Sequence, residues 1–301
     1  MKPKTTSRKR PSLLVIFLCV LAGFAFLWGV TALLARITHY GDTATVSRQE
    51  SSSSSAAASA SSSSGLIAGL PLNGYDAAAF SEDGGFVRYT GADASVKTGV
   101  DVSSFQLKID WPAVKAAGVD FAMIRVGYRG YTEGTIQDDP YFAQNIRGAL
   151  DAGLEVGVYF FSQAITQDEA KEEAQYVLDK IAGYAVTCPV IFDWENVETA
   201  ARSDGMGSVL LTACAKAFCD TVAQAGYTPG VYFNQQYGYQ EYDLPSLTAY
   251  DFWLAEYAVP PTFVYEFQLW QYTNTGTVAG IEGNVDLNLM FTKKSGVASE
   301  Q

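Results

Sequence analysis

Eight short apolar runs recur through the last two-thirds of the chain, and their rhythm limits the fold more than any other feature. The runs have the length and the β-branched and aromatic content of buried strands. They are Val100–Val102, Phe121–Val126, Glu155–Phe161, Pro189–Asp193, Gly230–Phe233, Phe252–Tyr257, Phe267–Tyr272 and Val285–Leu289. Eight such strands in one domain predict a closed barrel.

Helical patterns separate the early runs, and this alternation is typical of a parallel α/β sheet. The predicted helices are Trp111–Ala117, Pro140–Ala152, Gln167–Ala182 and Met206–Ala225, with a marginal one at Leu244–Tyr250. After Tyr257 the gaps are too short for a crossover helix, which needs about a dozen residues, so the barrel should be irregular. An open doubly wound sheet is the alternative, but it would carry a glycine-rich phosphate loop where this chain has residues 103–106, Ser-Ser-Phe-Gln.

The chain before the barrel begins with a basic tail and an apolar run, Leu13–Ala35. Such a run exceeds the roughly 20 residues that span a bilayer, and the basic residues before it predict a cytoplasmic N-terminus. A cleaved signal peptide is the alternative, although its apolar region is usually about 7–15 residues. The Ser/Ala-rich stretch that follows cannot bury a core and is typical of a flexible linker.

Between the linker and the barrel, Gly84-Gly85 followed by the alternating run Phe86–Tyr89 predicts a turn and a short strand. We interpret this region as an extension packed on the barrel. The predicted organisation is a cytoplasmic basic tail (1–12), a transmembrane anchor (13–35), a linker (36–64), the extension (65–98), a catalytic barrel (99–294) and a C-terminal tail (295–301).

Histidine usage excludes several chemistries. The only histidine is His39, so the predicted barrel cannot hold a Ser-His-Asp or Cys-His arrangement or a histidine-ligated zinc ion. The net charge of −12 disfavours nucleic acid as a partner. Cys188, Cys214 and Cys219 form no Cys-x-x-Cys pair, which favours buried free thiols, although a disulfide from Cys188 stays open. We therefore expect no metal and no cofactor.

Four acidic residues occupy positions where barrels carry their chemistry, at strand ends. Asp101 ends the first strand, Asp193 ends the fourth, Glu195 follows it, and Asp286 lies in the eighth. The first and eighth strands are neighbours in a closed barrel. Asp193 and Glu195 should face the same way with Cα atoms about 6.5 Å apart. Burial and mutual repulsion would then keep one of the two protonated while the other stays ionised.

Aromatic residues at or beyond the strand ends offer faces suited to sugar rings. The predicted substrate-binding residues are Phe105, Tyr128, Tyr159, Trp194, Tyr257 and Trp270. For Tyr159 and Trp270, plain core packing is an equal alternative.

Several segments together resemble glycoside hydrolase family 25, the lysozymes also called 1,4-β-N-acetylmuramidases. They span roughly residues 99–292 in order. The matching segments are GVDVSSFQ at 99–106, IDW at 109–111, FAMIRVGYRG at 121–130, GVYFFSQA at 157–164, PVIFDWE at 189–195, WLAEY at 253–257, WQYT at 270–273 and VDLN at 285–288.

The resemblance implies a (β/α)5(β)3 barrel that cleaves the glycan strands of peptidoglycan. It implies that Asp101, Asp193, Glu195 and Asp286 line the active site, with Glu195 as the general acid and Asp193 stabilising charge or orienting the substrate's 2-acetamido group. Substrate assistance by that group is the mechanism we favour. A catalytically silent wall-binding module and a metal-dependent hydrolase are the rival functions.

Overall fold

The computed structural model describes residues 66–197 and 200–294. Eight strands close into a barrel in the order β3, β11, β10, β9, β8, β7, β6 and β4, and β4 pairs back with β3. The barrel strands are β3 (Ala94–Val102), β4 (Phe121–Arg129), β6 (Glu155–Ser162), β7 (Val190–Trp194), β8 (Pro229–Asn234), β9 (Asp251–Ala255), β10 (Leu269–Gly276) and β11 (Val285–Lys293). This confirms the predicted eight-stranded barrel, and each predicted run lies on one of its strands.

The alternation of strands and helices predicted a parallel sheet, and this prediction is wrong for one strand. Strands β3 to β10 of the barrel pair in parallel, but β11 runs antiparallel to both β10 and β3. The physical reason is the short connection between β10 and β11, residues 277–284, which cannot carry the chain back across the sheet. The reversal places the beginning of β11 at the rim where the other strands end.

Within residues 66–197 and 200–294, five α-helices lie outside the barrel, one after each of the first five barrel strands, and none follows the last three strands. They are α1 (Trp111–Ala116), α2 (Phe142–Asp151), α3 (Gln167–Ile181), α4 (Ser208–Gln224) and α5 (Gln235–Gln240). The (β/α)5(β)3 pattern follows. The sequence missed α5 and the short edge strand β5 (Ile136–Asp138), and the marginal helix at Leu244–Tyr250 is only a 3-10 turn, Leu244–Leu247.

Local signals set the helix ends. The Thr166 side chain accepts the Glu169 amide at the start of α3, while the Glu169 carboxylate accepts the amide of Ile165 rather than that of Thr166. These two hydrogen bonds satisfy backbone amides on both sides of the helix start. At the other end of the next helix, Gly226 takes φ +88°, a conformation that favours glycine, and the chain turns towards β8.

Two apolar layers stabilise the barrel. Phe121, Met123 and Trp253 fill its interior, and the outer faces of the strands pack on the helices, as Phe192 does on Phe218 of α4 with ring centroids 5.5 Å apart. Cys188, Cys214 and Cys219 are buried free thiols, as the absence of a Cys-x-x-Cys pair favoured.

The extension forms a two-stranded hairpin, β1 (Phe80–Asp83) and β2 (Phe86–Tyr89), joined at Gly84 and Gly85, which both take positive φ. Its aromatic residues pack on the outside of the last barrel strands. Tyr75 stacks on Phe291 at 4.2 Å between ring centroids, and Phe80 meets Trp270 edge-on at 5.4 Å.

The predicted basic tail, anchor and linker lie outside the described residues, as do position 65 of the extension and the C-terminal tail. Among the residues that the structure describes, no helix has both the length and the apolar character needed to cross a membrane.

Candidate active site

The four predicted acids meet at one rim of the barrel. Asp193 is at the end of β7 and Glu195 follows that strand directly, while Asp101 near the end of β3 is the register partner of Asp286 at the start of β11. Asp101 and Asp193 are buried, and Glu195 and Asp286 are half-buried. The fold therefore brings together four carboxyl groups from β3, β7 and β11. Of these strands, β3 and β11 were expected to be neighbours.

Asp101 and Asp286 share a hydrogen bond between their carboxyl groups. Asp101 also accepts hydrogen bonds from the amides of Gln271, at 3.0 Å, and Asn288, at 2.7 Å. Burial, with the Asp101 charge beside it, raises the pKa of Asp286 to about 9. At neutral pH Asp286 thus holds a proton beside Asp101, whose Oδ2 accepts from both amides.

Asp193 and Glu195 form the other half of the cluster. Burial, followed by the charges of Glu195 and Asp101, raises the pKa of Asp193 well above its ordinary value. Burial and the Asp101 charge also raise the pKa of Glu195. Within the described residues Asp193 Oδ1 is buried and has no hydrogen-bond partner. One carboxylate oxygen of this pair is therefore free to bind a substrate group.

A buried amide holds the Glu195 backbone in place. Gln163 follows β6, and its Nε2 donates to the Glu195 carbonyl oxygen at 3.0 Å, while its Oε1 accepts from Ser203 Oγ at 2.6 Å. Arg202 Nη1 donates to the Gln163 carbonyl at 3.3 Å and forms a two-pronged ion pair with Glu169 of α3, at 2.6 and 2.9 Å. These contacts fasten the segment after β7 to α3 and β6.

The predicted aromatic residues divide into two groups. Tyr159 and Tyr257 lie beside the acids: Tyr159 packs edge-on against Trp253 inside the barrel, and Tyr257 Oη donates to Gln271 Oε1 at 2.9 Å. Phe105 and Tyr128 flank the Arg125 guanidinium, with ring centroids 5.2 and 5.6 Å from its carbon. Phe105 is 80% exposed, as a binding platform at the rim would be.

The structure does not bring Trp194 and Trp270 to the acids. Both belong to the layer outside the barrel, where Trp194 contacts Tyr237 of α5 at 5.6 Å between ring centroids. Trp270 is fully buried against the extension. The reason is strand alternation: Asp193 faces the barrel interior, so the next side chain faces out, and Trp270 stands in the same relation to the inward Gln271. For Trp270 the core-packing alternative describes its surroundings.

Four polar residues of the site were not singled out from the sequence: Arg125, Gln163, Gln271 and Asn288. Arg125 donates to Asp139 Oδ2 at 2.9 Å and to Ser104 Oγ at 3.1 Å, and its charge acts against the raised pKa of Asp193. All four lie inside segments that carried the family resemblance. The available signal was a polar residue within a largely apolar strand run, as at Arg125 in Phe121–Val126 and Asn288 in Val285–Leu289.

A barrel of this kind, with proton-holding carboxyl groups gathered at the rim where its parallel strands end, defines the class of protein as a glycoside hydrolase. The sequence profile of the glycosyl hydrolases family 25 matches residues 100–281, more than half of the chain. The chain belongs to this family.

Two lysozymes are similar to this chain in sequence. Lysozyme M1 of Streptomyces globisporus is 29% identical over 214 residues, which are 65% of this chain and 68% of that protein. The autolytic lysozyme of Clostridium acetobutylicum is 29% identical over 196 residues, 63% of this chain and 54% of that protein.

Among solved structures, the modular autolysin LytC from Streptococcus pneumoniae, in complex with a synthetic peptidoglycan ligand, matches with a TM-score of 0.55 and 26% identity over 65% of this chain and 47% of that one. The bacterial lysozyme from Streptomyces coelicolor matches with a TM-score of 0.52 and 25% identity over 64% of this chain and 91% of that one. The chain thus spans about half the length of the autolytic lysozyme and of LytC.

Proposed function

We propose that this glycoside hydrolase cleaves the β-1,4 bond between N-acetylmuramic acid and N-acetylglucosamine in bacterial peptidoglycan. The observation that carries the proposal is the cluster of Asp101, Asp193, Glu195 and Asp286 at one rim of a family 25 barrel. The names of the relatives, lysozymes and N,O-diacetylmuramidases, support the same substrate.

Glu195 serves as the general acid in this proposal. Burial and the Asp101 charge raise its pKa, which favours the protonated form that the leaving oxygen needs. Once the bond has broken, the resulting carboxylate can take a proton from the attacking water, so one residue serves both halves of the reaction.

Asp193 binds the substrate's 2-acetamido group. This role needs an ionised Asp193, whereas burial and the charges of Glu195 and Asp101 raise its pKa. A bound acetamido N–H favours the ionised carboxylate, so Asp193 releases its proton to solvent water when the substrate binds, before the glycosidic bond breaks. The carboxylate then stabilises the positive charge that develops on the acetamido group. The acetamido oxygen then attacks the anomeric carbon with the high effective concentration of an internal nucleophile.

This mechanism retains the anomeric configuration. NMR of the first product, recorded before mutarotation, should show a β-anomer at the new reducing end, and replacing the acetamido group by hydroxyl should abolish turnover. An α-anomer would mean that water attacks directly from the opposite face.

Digestion of purified peptidoglycan by the full-length protein, with mass analysis of the new reducing ends, tests the reaction itself. Muramic acid ends are expected, and glucosamine ends would assign the protein to the other bond. Binding without any new ends would favour the silent wall-binding module.

EDTA should leave the activity intact, because no histidine is available in the barrel to ligate a catalytic metal. Loss with EDTA and recovery with Mg²⁺ or Ca²⁺ would favour the metal-dependent alternative.

The apolar run Leu13–Ala35 supports a further part of the proposal, that the protein is held in the cell membrane with its N-terminus in the cytoplasm and its barrel outside. The native protein should then stay in the membrane fraction, and protease added to wall-stripped cells should remove the barrel. A freely secreted product whose N-terminus begins after residue 35 would show that the run is a signal peptide.

A further inference from the structure

A cavity of about 350 Å³ lies between the extension hairpin and the rim of the barrel. Its walls come from three places: the β1–β2 hairpin, the segment after β9, and the end of β10 with the residues that follow. The hairpin, at residues 80–89, precedes the segment that matches the family profile, residues 100–281. The cavity is therefore completed by a part of the chain that lies outside the family domain.

Tyr257 connects this cavity to the acids. It lines the cavity, and its hydroxyl donates to Gln271 Oε1 at 2.9 Å, while the other end of the Gln271 side chain donates to Asp101 at 3.0 Å. Two hydrogen bonds thus separate the cavity wall from a carboxylate of the active site. A ligand that extends from the acids across Tyr257 would enter the cavity.

The lining combines apolar side chains with hydroxyl groups. Phe86, Tyr257 and Val259 supply the apolar surface, and Thr273, Thr275 and Thr277 supply hydroxyl groups. The Thr273 and Thr275 hydroxyls lie 3.1 Å apart, and Thr273 Oγ1 also accepts the Thr275 amide at 3.1 Å, so both are held in place. A lining that combines apolar side chains with fixed hydroxyl groups fits a sugar ring, which has an apolar face and a polar edge.

Charge narrows the ligand further. Glu82, on the hairpin, is the only charged residue in the lining, and its carboxylate can accept hydrogen bonds from sugar hydroxyls. The same negative charge disfavours an anionic ligand, and the carboxylate-bearing stem peptide of peptidoglycan is anionic. The volume is near the lower end of ligand sites, about 300–1,000 Å³, which suits a single sugar unit.

We propose that this cavity is an additional subsite that binds one neutral N-acetylhexosamine unit of the glycan strand, beyond the units that contact the acids. The inference rests on the proposed function. It assigns to the extension the role of lengthening the cleft, so that longer strands are preferred over short ones.

The experiment fills the cavity in the full-length protein by Thr275→Trp and measures kcat/KM on peptide-free glycan strands of increasing length. Asn274→Trp is the matched control, because Asn274 is the exposed neighbour in the same segment and does not line the cavity. In the wild type and the control, kcat/KM should rise with length to a plateau. In Thr275→Trp the final increase of kcat/KM before the plateau should be absent. On long strands kcat/KM should therefore be about tenfold lower than in the wild type, as expected for one or two lost hydrogen bonds. The shortest cleaved strands should be unaffected.

Thr277→Trp serves as a second cavity-filling variant if Thr275→Trp does not fold. Equal kcat/KM for the filled and control variants at every length would overturn the proposal. A loss seen only on strands that carry stem peptides would overturn it too, since the ligand would then be the peptide.

A binding measurement separates this proposal from the proposed function. Glu195→Gln, alone and combined with Thr275→Trp, is titrated calorimetrically with oligomers of N-acetylglucosamine. Binding that is about tenfold weaker in the double variant would support the subsite even if the wild type cleaves no peptidoglycan. Equal binding by the two variants would refute the subsite even if the wild type cleaves well.

Discussion

Replacing Gln163 by Leu should slow catalysis without weakening substrate binding. Gln163 is fully buried, and its side chain makes two hydrogen bonds, to the Glu195 carbonyl oxygen and from Ser203 Oγ. Leu has a similar size but neither donor nor acceptor. The substitution therefore removes the contact that fixes the Glu195 backbone and leaves the Glu195 carboxyl group itself unchanged.

The magnitude follows from the groups left without partners. A buried polar group that loses its hydrogen bond costs about 1–3 kcal/mol, so the Glu195 carbonyl and the Ser203 hydroxyl together would cost about 2–6 kcal/mol if nothing moved. The segment after β7 can relieve this cost by shifting towards water, which displaces Glu195. A displacement of about 1 Å at a reacting group lowers the rate about 100-fold, so we expect kcat to fall by about that factor, with KM changed less than about threefold.

The assay measures kcat and KM from the release of reducing ends, together with the thermal midpoint. Gln175→Leu is the matched control, because Gln175 lies on the exposed face of α3 and its amide donates to Asp179 alone. Ser203→Ala is an intermediate variant that keeps the Gln163–Glu195 bond, and it should lose less kcat than Gln163→Leu.

Either of two results would refute the reasoning. Gln163→Leu with a wild-type kcat would show that the bond does not position Glu195. A loss of activity fully explained by a smaller folded fraction, with normal kcat per folded molecule, would show that Gln163 only stabilises the fold.

Three further predictions test other parts of the site and its support. Glu195→Gln should fold normally and lose about 10²–10⁴-fold in kcat, the usual contribution of a general acid, and retention of more than about half the activity would exclude that role. Deprotonation of Glu195 lowers kcat/KM on the alkaline side in both proteins, but the wild type should show a further fall as pH rises through about 9, where Asp286 ionises beside Asp101. This further fall should be absent from the Asp286→Asn profile because an amide stays neutral, and matching profiles would contradict the proton assignment. Arg129→Met should destabilise the fold by about 3–5 kcal/mol in urea unfolding, since it leaves Glu173 buried without its ion-pair partner at 2.6 Å. Burial raises the pKa of Glu173 to about 7 with Arg129 present, and removing the cation raises it further, so the loss should grow as pH rises from 5 to 8; an equal loss at both pH values would contradict this.

Much of the fold was predictable because it depends on local patterns. Each segment shows the periodicity of a strand or a helix, and the short gaps after Tyr257 already excluded crossover helices between the last three strands. The direction of β11 was not inferred, although residues 277–284 are too few for a parallel return. In the extension, the turn at Gly84 and Gly85 and the strand after it were predicted, but β1 and the packing against Trp270 were not.

The site was partly predictable for the same reason. A strand-end position identified Asp101, Asp193 and Glu195, and barrel closure brought Asp286 to Asp101. Alternation along β7, applied to the two acids, also implied that Trp194 faces outward, and the tertiary structure places it there. Aromatic residues at strand ends cannot be sorted into cleft and core by type alone, because both environments favour them.

The sequence by itself determined the eight strands, the exclusion of histidine chemistry and the positions of four acidic residues along the chain. Only the tertiary structure decided that Asp286 holds a proton beside Asp101, that the amides of Gln271 and Asn288 donate to Asp101, and that Gln163 bonds to the Glu195 backbone. The physical reason is distance along the chain: Asn288 and Asp101 are separated by 187 residues, yet their side chains meet at 2.7 Å. Periodicity describes which way a side chain faces within one strand, whereas a pKa or a hydrogen bond depends on which strands closure places side by side.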